Sequence, residues 1–201
     1  HYVWKEMSGD VSLAATIEWL GEGLDPHRKA GLIIRQSLDP GSVYADAVVH
    51  GDGLTSLQFR EAQDETTHEI ISNITKPERL KIEKIGDYLF MAVGNKNGDL
   101  ESSSGSLRMQ FSDPFYIGIG VCSHNNDTIE TAVFTDLILE TLELKPDSLK
   151  QMESVLETIA ISSFDRKVVY ITEKHIEAPN WSPDGQILIY NSGGLLYKIP
   201  V

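Results

Sequence analysis

The chain has 201 residues, is 41% hydrophobic and 23% charged, and carries a formal net charge of −13. This is an ordinary soluble composition, with room for one large domain or a domain plus a fragment. So acidic a surface repels phosphate backbones and anionic lipid, which argues against nucleic acid and membrane partners, and no apolar run approaches the roughly 18 residues that would cross a bilayer.

The chain opens on His1 and Tyr2 rather than Met. The expectation is that a preceding piece was removed. If that piece was an export signal, a periplasmic or extracellular compartment is favoured. Period-two alternation then dominates the first 142 residues. Val11, Leu13, Ala15, Ile17 and Trp19 fall on one face of a strand. Further strands are expected over 31–37, 43–50, 54–60, 79–85, 88–93, 116–122 and 131–142. Asp39-Pro40-Gly41, Gly51-Asp52-Gly53, Gly86-Asp87, Asn97-Gly98 and Asn125-Asn126-Asp127 supply the turns between them. Short strands at this spacing predict an all-β antiparallel sandwich. The serine-rich stretch 100–107 reads as a flexible loop.

Pro146 ends this texture. Residues 144–153 read as a linker, with one or two helical turns expected in 145–153. Four short strands are then expected, over 154–161, 167–172, 186–191 and 195–199. Between the second and third, Pro183-Asp184-Gly185 suits a tight turn, Pro presetting φ and Gly taking a positive one. Four such strands amount to about one β-propeller blade, and a propeller closes only with several. The domains expected are therefore a sandwich over 1–143, the linker, and a truncated propeller fragment over 154–201. Open strand edges on a lone blade invite pairing with the sandwich or with another copy, so self-association is admitted.

Alternation also sorts the side chains by face. Val43, Ala45, Ala47 and Val49 oppose Tyr44, Asp46, Val48 and His50; Thr55, Leu57 and Phe59 oppose Ser56, Gln58 and Arg60; Ile117, Ile119 and Val121 oppose Tyr116, Gly118, Gly120 and Cys122. One face is core-like. The other carries Tyr44, Asp46, His50, Gln58 and Arg60, with Arg35 on a neighbouring strand and His124 in a nearby loop. Planar amides, guanidinium groups, a carboxylate and aromatic rings suit a sugar, whose hydroxyls need donors and acceptors and whose ring packs on an aromatic face. The same residues also suit the solvated outside of a sheet.

Three blocks add a resemblance. His27-Arg28-Lys29-Ala30-Gly31-Leu32-Ile33-Ile34-Arg35-Gln36-Ser37-Leu38-Asp39, His50-Gly51-Asp52-Gly53-Leu54-Thr55-Ser56-Leu57-Gln58-Phe59-Arg60 and Gly120-Val121-Cys122-Ser123-His124-Asn125 resemble concanavalin A-like, laminin G-like bacterial domains related to DUF1349. Glu177-Ala178-Pro179-Asn180-Trp181-Ser182-Pro183-Asp184-Gly185 resembles the opening repeat of TolB-like propellers. The resemblance implies a jelly-roll sandwich ahead of a propeller, and little chemistry beyond that.

Glycan or polysaccharide binding without catalysis is therefore the leading expectation, followed by a structural or protein-interaction role through the exposed propeller strands and then by a glycoside hydrolase. Glycosidases need two carboxylates across the scissile bond, and Asp46 is the only one expected on the polar face. His68-Glu69 lacks the second histidine of a zinc protease motif. There is no Gly-x-Ser-x-Gly elbow and no P-loop. Cys122 is the only cysteine, which excludes an intrachain disulfide; it reads as a buried, inert thiol. No cofactor is expected, although a structural Ca2+ at Asp39, Asp52 or Asp127 is admitted.

Overall fold

The structure, a computed structural model, describes residues 1–96, 98–143 and 153–201. Among them are strands and no helices. The first stretch holds β1 (Tyr2–Met7), β2 (Val11–Leu20), β3 (Lys29–Arg35), β4 (Tyr44–His50), β5 (Thr55–Arg60) and β6 (His68–Ile71). Then come β7 (Arg79–Ile85), β8 (Tyr88–Gly94), β9 (Glu101–Ser102), β10 (Leu107–Arg108), β11 (Phe115–Cys122) and β12 (Thr131–Thr141). Last are β13 (Ser154–Ile159), β14 (Arg166–Thr172), β15 (Glu177–Trp181), β16 (Ile187–Ser192) and β17 (Leu195–Pro200). Of the expected linker, residues 144–152 lie outside the described residues.

These strands make an 8-stranded sheet in the order β1-β11-β3-β4-β5-β6-β14-β13 and a 6-stranded sheet in the order β10-β8-β7-β2-β12, with β9 also on β8. Neither closes into a barrel. The two sheets meet through one apolar core, as the alternation predicts. Val11, Leu13, Ala15 and Ile17 of β2 and Leu80 and Ile82 of β7 face Leu32 and Ile34 of β3, Ala45, Ala47 and Val49 of β4, and Leu57 and Phe59 of β5. Each fully buried Leu or Ile contributes about 1.5–3 kcal/mol, so the core fixes the register of every strand that enters it.

Five strands escaped the sequence reading. β9 and β10 are only 2 residues each. They nevertheless correct the flexible-loop reading of 100–107, because both pair with β8. Ser103 and Ser104 are buried there, with the Met91 amide donating to Ser104 Oγ at 3.2 Å. β15 carries Pro179, which weakens any strand signal.

Beyond residue 153 the strands divide. β13 and β14 form a hairpin that extends the large sheet, β14 running parallel to β6 through Arg166↔Ile70 and Lys167↔Ile71. Val168 enters the sandwich core at 0% exposure. β15, β16 and β17 form a separate 3-stranded sheet. Leu188 and Tyr190 of that sheet pack on Leu156, Val169 and Tyr170 of the hairpin in a second apolar cluster. The turn ahead of β16 is built by Ser182 and Asp184: Ser182 Oγ accepts from the Ile187 amide at 3.0 Å and Asp184 Oδ1 from the Gln186 amide at 3.1 Å. Gly185 takes φ 69.

Since Val168 belongs to the sandwich core, Val168→Ala is expected to cost roughly 1–3 kcal/mol in urea unfolding. Ile161→Ala, at an 86% exposed position, should stay within about 0.5 kcal/mol. Equal, negligible effects would mean that the hairpin does not share the core.

Candidate functional site

The outward face of the large sheet is set by its register. Pairs across β3, β4 and β5 align Arg35, Tyr44 and Arg60 in one row, Ile33, Asp46 and Gln58 in the next, and Gly31, Val48 and Ser56 in a third; Lys29 stands opposite His50. β6 adds Glu69 beside Gln58. β11 adds Tyr116, Gly118, Gly120 and Cys122, and β1 adds Tyr2 and Trp4. The structure thus brings six of the seven expected site residues onto one face, while His124 lies in the exposed loop after β11 with φ 57. Gly31 and Gly118 keep part of this face bare. A Cβ at Gly118 would run into the Val3 carbonyl, and one at Gly31 into the Ala47 carbonyl.

The two arginines serve the loops at one end. Arg35 donates to the Ser37 carbonyl at 3.2 Å and to the Asp39 carbonyl; Arg60 donates to the Glu65 and Pro40 carbonyls at 2.8 and 3.0 Å. Both guanidinium groups stand beside the Tyr44 ring, 5.8 and 5.2 Å from its centroid. Tyr44 completes the clamp through a 3.1 Å hydrogen bond with Thr67.

The middle of the face holds a polar chain that sequence reasoning caught only in part. Lys29 Nζ donates to Gln58 Oε1 at 3.0 Å, and Gln58 Nε2 donates to Glu69 Oε2 at 3.2 Å. Gln58 Nε2 also lies 3.4 Å from His50 Nε2. An amide N–H can only donate, so His50 accepts through Nε2 and carries its proton on Nδ1. That buried Nδ1 has no hydrogen-bond partner, and neither does Asp46 Oδ1. Burial pushes the Asp46 carboxyl up to about 7, against the pull of Lys29 and Arg35. Burial, helped by Lys29, pushes His50 down to about 4, so its ring is neutral at pH 7. At the far end the buried Arg28 donates to Glu130 and stacks 4.2 Å over Trp19. This fastens the loop carrying His27, whose ring is 6.4 Å from His50 and 6.1 Å from His124.

Two cavities open on this face and share Lys29. One, of about 260 Å3, is lined by Tyr2, Lys29, Arg35, Asp46, Gly120 and Cys122, among others. The other, of about 380 Å3, is lined by His27, Lys29, Tyr44, His50, Gln58, Thr67, His68, Glu69 and Asp165. Asp165 comes from the β13–β14 turn. Its Oδ1 accepts from the Glu69 amide at 3.0 Å, and His68 Nδ1 lies 3.0 Å from the Ser163 carbonyl. The hairpin therefore forms a wall of the groove.

Three sequence readings are corrected here. Asp46 is not the only carboxylate on the face, since β6, too short to be read, presents Glu69. Cys122 is exposed rather than buried, because it is the last residue of β11 and shares the outward side with Gly120. Lys29 belongs to the site because β3 starts at Lys29 and not at residue 31. Among the described residues no three His, Cys, Asp or Glu side chains are grouped to hold a metal ion. Asp52 Oδ1 instead accepts from the Leu54 amide at 2.9 Å, as a turn former does.

The fold and this face define an all-β sandwich with a polar groove. No family model matches the chain. A solved structure of a functionally unknown protein from Saccharomyces cerevisiae is similar at TM-score 0.54 and 15% identity, over 71% of this chain and 75% of that one, which shows a shared fold. Scytalido-glutamic peptidase aligns at TM-score 0.38 and 13% identity over 100% of this chain and 98% of its own, a likeness too low to carry an argument. An uncharacterised protein of Agrobacterium fabrum is 48% identical over 48 residues, 24% of this chain. The match spans only 16% of that protein's length.

The two perturbed groups make stability depend on pH in opposite senses. Asp46 is raised, so its contribution is full below its ordinary 3.8 and is lost as pH rises to about 7. His50 is lowered, so its contribution is full above 6.5 and is lost as pH falls to about 4. In urea unfolding across pH 4–8, Asp46→Asn is expected to gain on the wild type as pH rises, and His50→Gln to gain on it as pH falls. Parallel curves for all three proteins would contradict both assignments.

Proposed function

We propose that the groove on the large sheet binds a carbohydrate without cleaving it. The observation that carries this reading is the pair of buried, unpartnered polar atoms, Asp46 Oδ1 and His50 Nδ1, on a face that also presents Lys29, Gln58 and Glu69. A buried polar group without a partner costs about 1–3 kcal/mol, and a polyhydroxylated ligand supplies what both atoms lack. One hydroxyl accepts from His50 while another bonds Asp46. Tyr2, lining the groove, offers a ring face to a pyranose. In this reading the sheet pair is a concanavalin A-like jelly roll, residues 154–201 open a TolB-like propeller, and exposed strands such as β17 remain for protein contacts.

A second reading is favoured by Glu69. Asp46 and Glu69 stand two strand spacings apart across β5, about 10 Å between Cα atoms. That is compatible with the wider carboxylate separation of an inverting glycoside hydrolase, with Asp46 as the acid and Glu69 as the base.

Calorimetry of the whole chain against a panel of oligosaccharides is expected to give a saturable hit. That hit should weaken at least tenfold in Gln58→Ala, which removes the link between Lys29, His50 and Glu69. No binding to any of a chemically diverse panel would sink the binding reading. Release of reducing ends that disappears in Asp46→Asn would favour the hydrolase instead.

A further inference from the structure

The charge of the cavity beside β1 departs from that of the molecule, since Lys29 and Arg35 line it against the single carboxylate of Asp46. The chain holds 30 Asp and Glu against 17 Lys and Arg, yet no carboxylate lies within ion-pair distance of Lys29 or Arg35 among the described residues. Lys29 instead spends a hydrogen bond on the neutral Gln58 amide. It lines both cavities, next to the buried and unpartnered Asp46 oxygen. A half-buried ammonium that acts on Asp46 without forming a close ion pair with it is a place for the ligand's anion.

Resting on the carbohydrate reading, we propose that the groove takes a sugar bearing a carboxylate, a uronate unit, with the carboxylate docked on Lys29 against Asp46. Lys29 supplies the charge. Asp46 in its acid form donates its O–H to one ligand carboxylate oxygen; ionised, it faces the ligand with like charge. Around Asp46 and Lys29 stand His1 and Tyr2 at the start of the chain, Arg35 on β3, Tyr44 and His50 on β4, His68 and Glu69 on β6, Cys122 on β11 and Asp165 of the β13–β14 turn. His27 and His124 stand beyond His50. Of the two groups displaced most, Asp46 is held at about 7 and His50 at about 4, so between them it is Asp46 whose charge changes near neutrality. Binding that requires the acid form then weakens about tenfold between pH 6 and pH 8, because the competent fraction falls by that factor. At pH 8 each binding event takes up close to one proton.

The test is titration calorimetry of the full chain with trigalacturonate and with the same trisaccharide methyl-esterified at every carboxyl, at pH 6 and pH 8 in buffers of different ionisation heat. Expected are binding of the acid at pH 6, at least tenfold weaker binding of the ester, the tenfold loss at pH 8, and proton uptake that vanishes in Asp46→Asn. Lys29→Met should abolish binding of the acid; the ester comparison on the wild type tests the idea even if that variant misfolds. Equal binding of acid and ester would overturn the uronate inference and leave the carbohydrate reading standing. If neither binds but a neutral oligosaccharide does, the inference falls alone. If no sugar of any kind binds, both fall.

Discussion

Everything in this molecule depends on two sheets closing over one apolar core. A strand that enters the core gives it every second side chain, and the other side chains are then placed by default. On β4 the core takes Ala45, Ala47 and Val49, which hands Tyr44, Asp46, Val48 and His50 to the outer face. β3 and β5 are tied by the same rule, so the outer rows are a by-product of packing, held in alignment by the ladders between the strands. Nothing on the polar face needs its own scaffold.

That face is unusual in how it treats its polar atoms. Arg35, Arg60 and Tyr44 are satisfied by loops, and they stiffen the end of the groove. Gln58 is satisfied several times over, by Lys29, Glu69 and His50. Asp46 and His50 are buried just as well and each keeps an unmet atom. Buried polar groups are nearly always paired. The unmet ones here stand on cavity walls with charge states displaced from the ordinary, and the proposed ligand site rests on them.

The sequence made much of this legible and withheld specific parts for physical reasons. Strong alternation over 79–85 and 43–50 located β7 and β4 nearly to the residue. It also put Arg35, Tyr44, Asp46, His50, Gln58 and Arg60 on one side. Glu69 stayed hidden because β6 has only 4 residues after a polar loop and gains its strand character from pairing with β5 and β14. Lys29 was visible as a residue, but the start of β3 is set by the pairs Lys29↔His50 and Lys29↔Cys122, which are long-range facts. Asp165 lies about a hundred residues from the strand it supports, and no local pattern announces such a contact.

The parallel seam between β14 and β6 has a thermodynamic consequence. It joins over only two residue pairs, yet it brings Asp165 to the groove that β4 and β5 floor. A ligand touching both Glu69 and Asp165 would be held by two parts of the chain whose association is itself an equilibrium. By linkage, occupancy then tightens the seam by the same factor by which the closed seam tightens occupancy. The hairpin is in that sense a jaw, and whatever fills the groove would help to hold residues 154–172 against β4, β5 and β6.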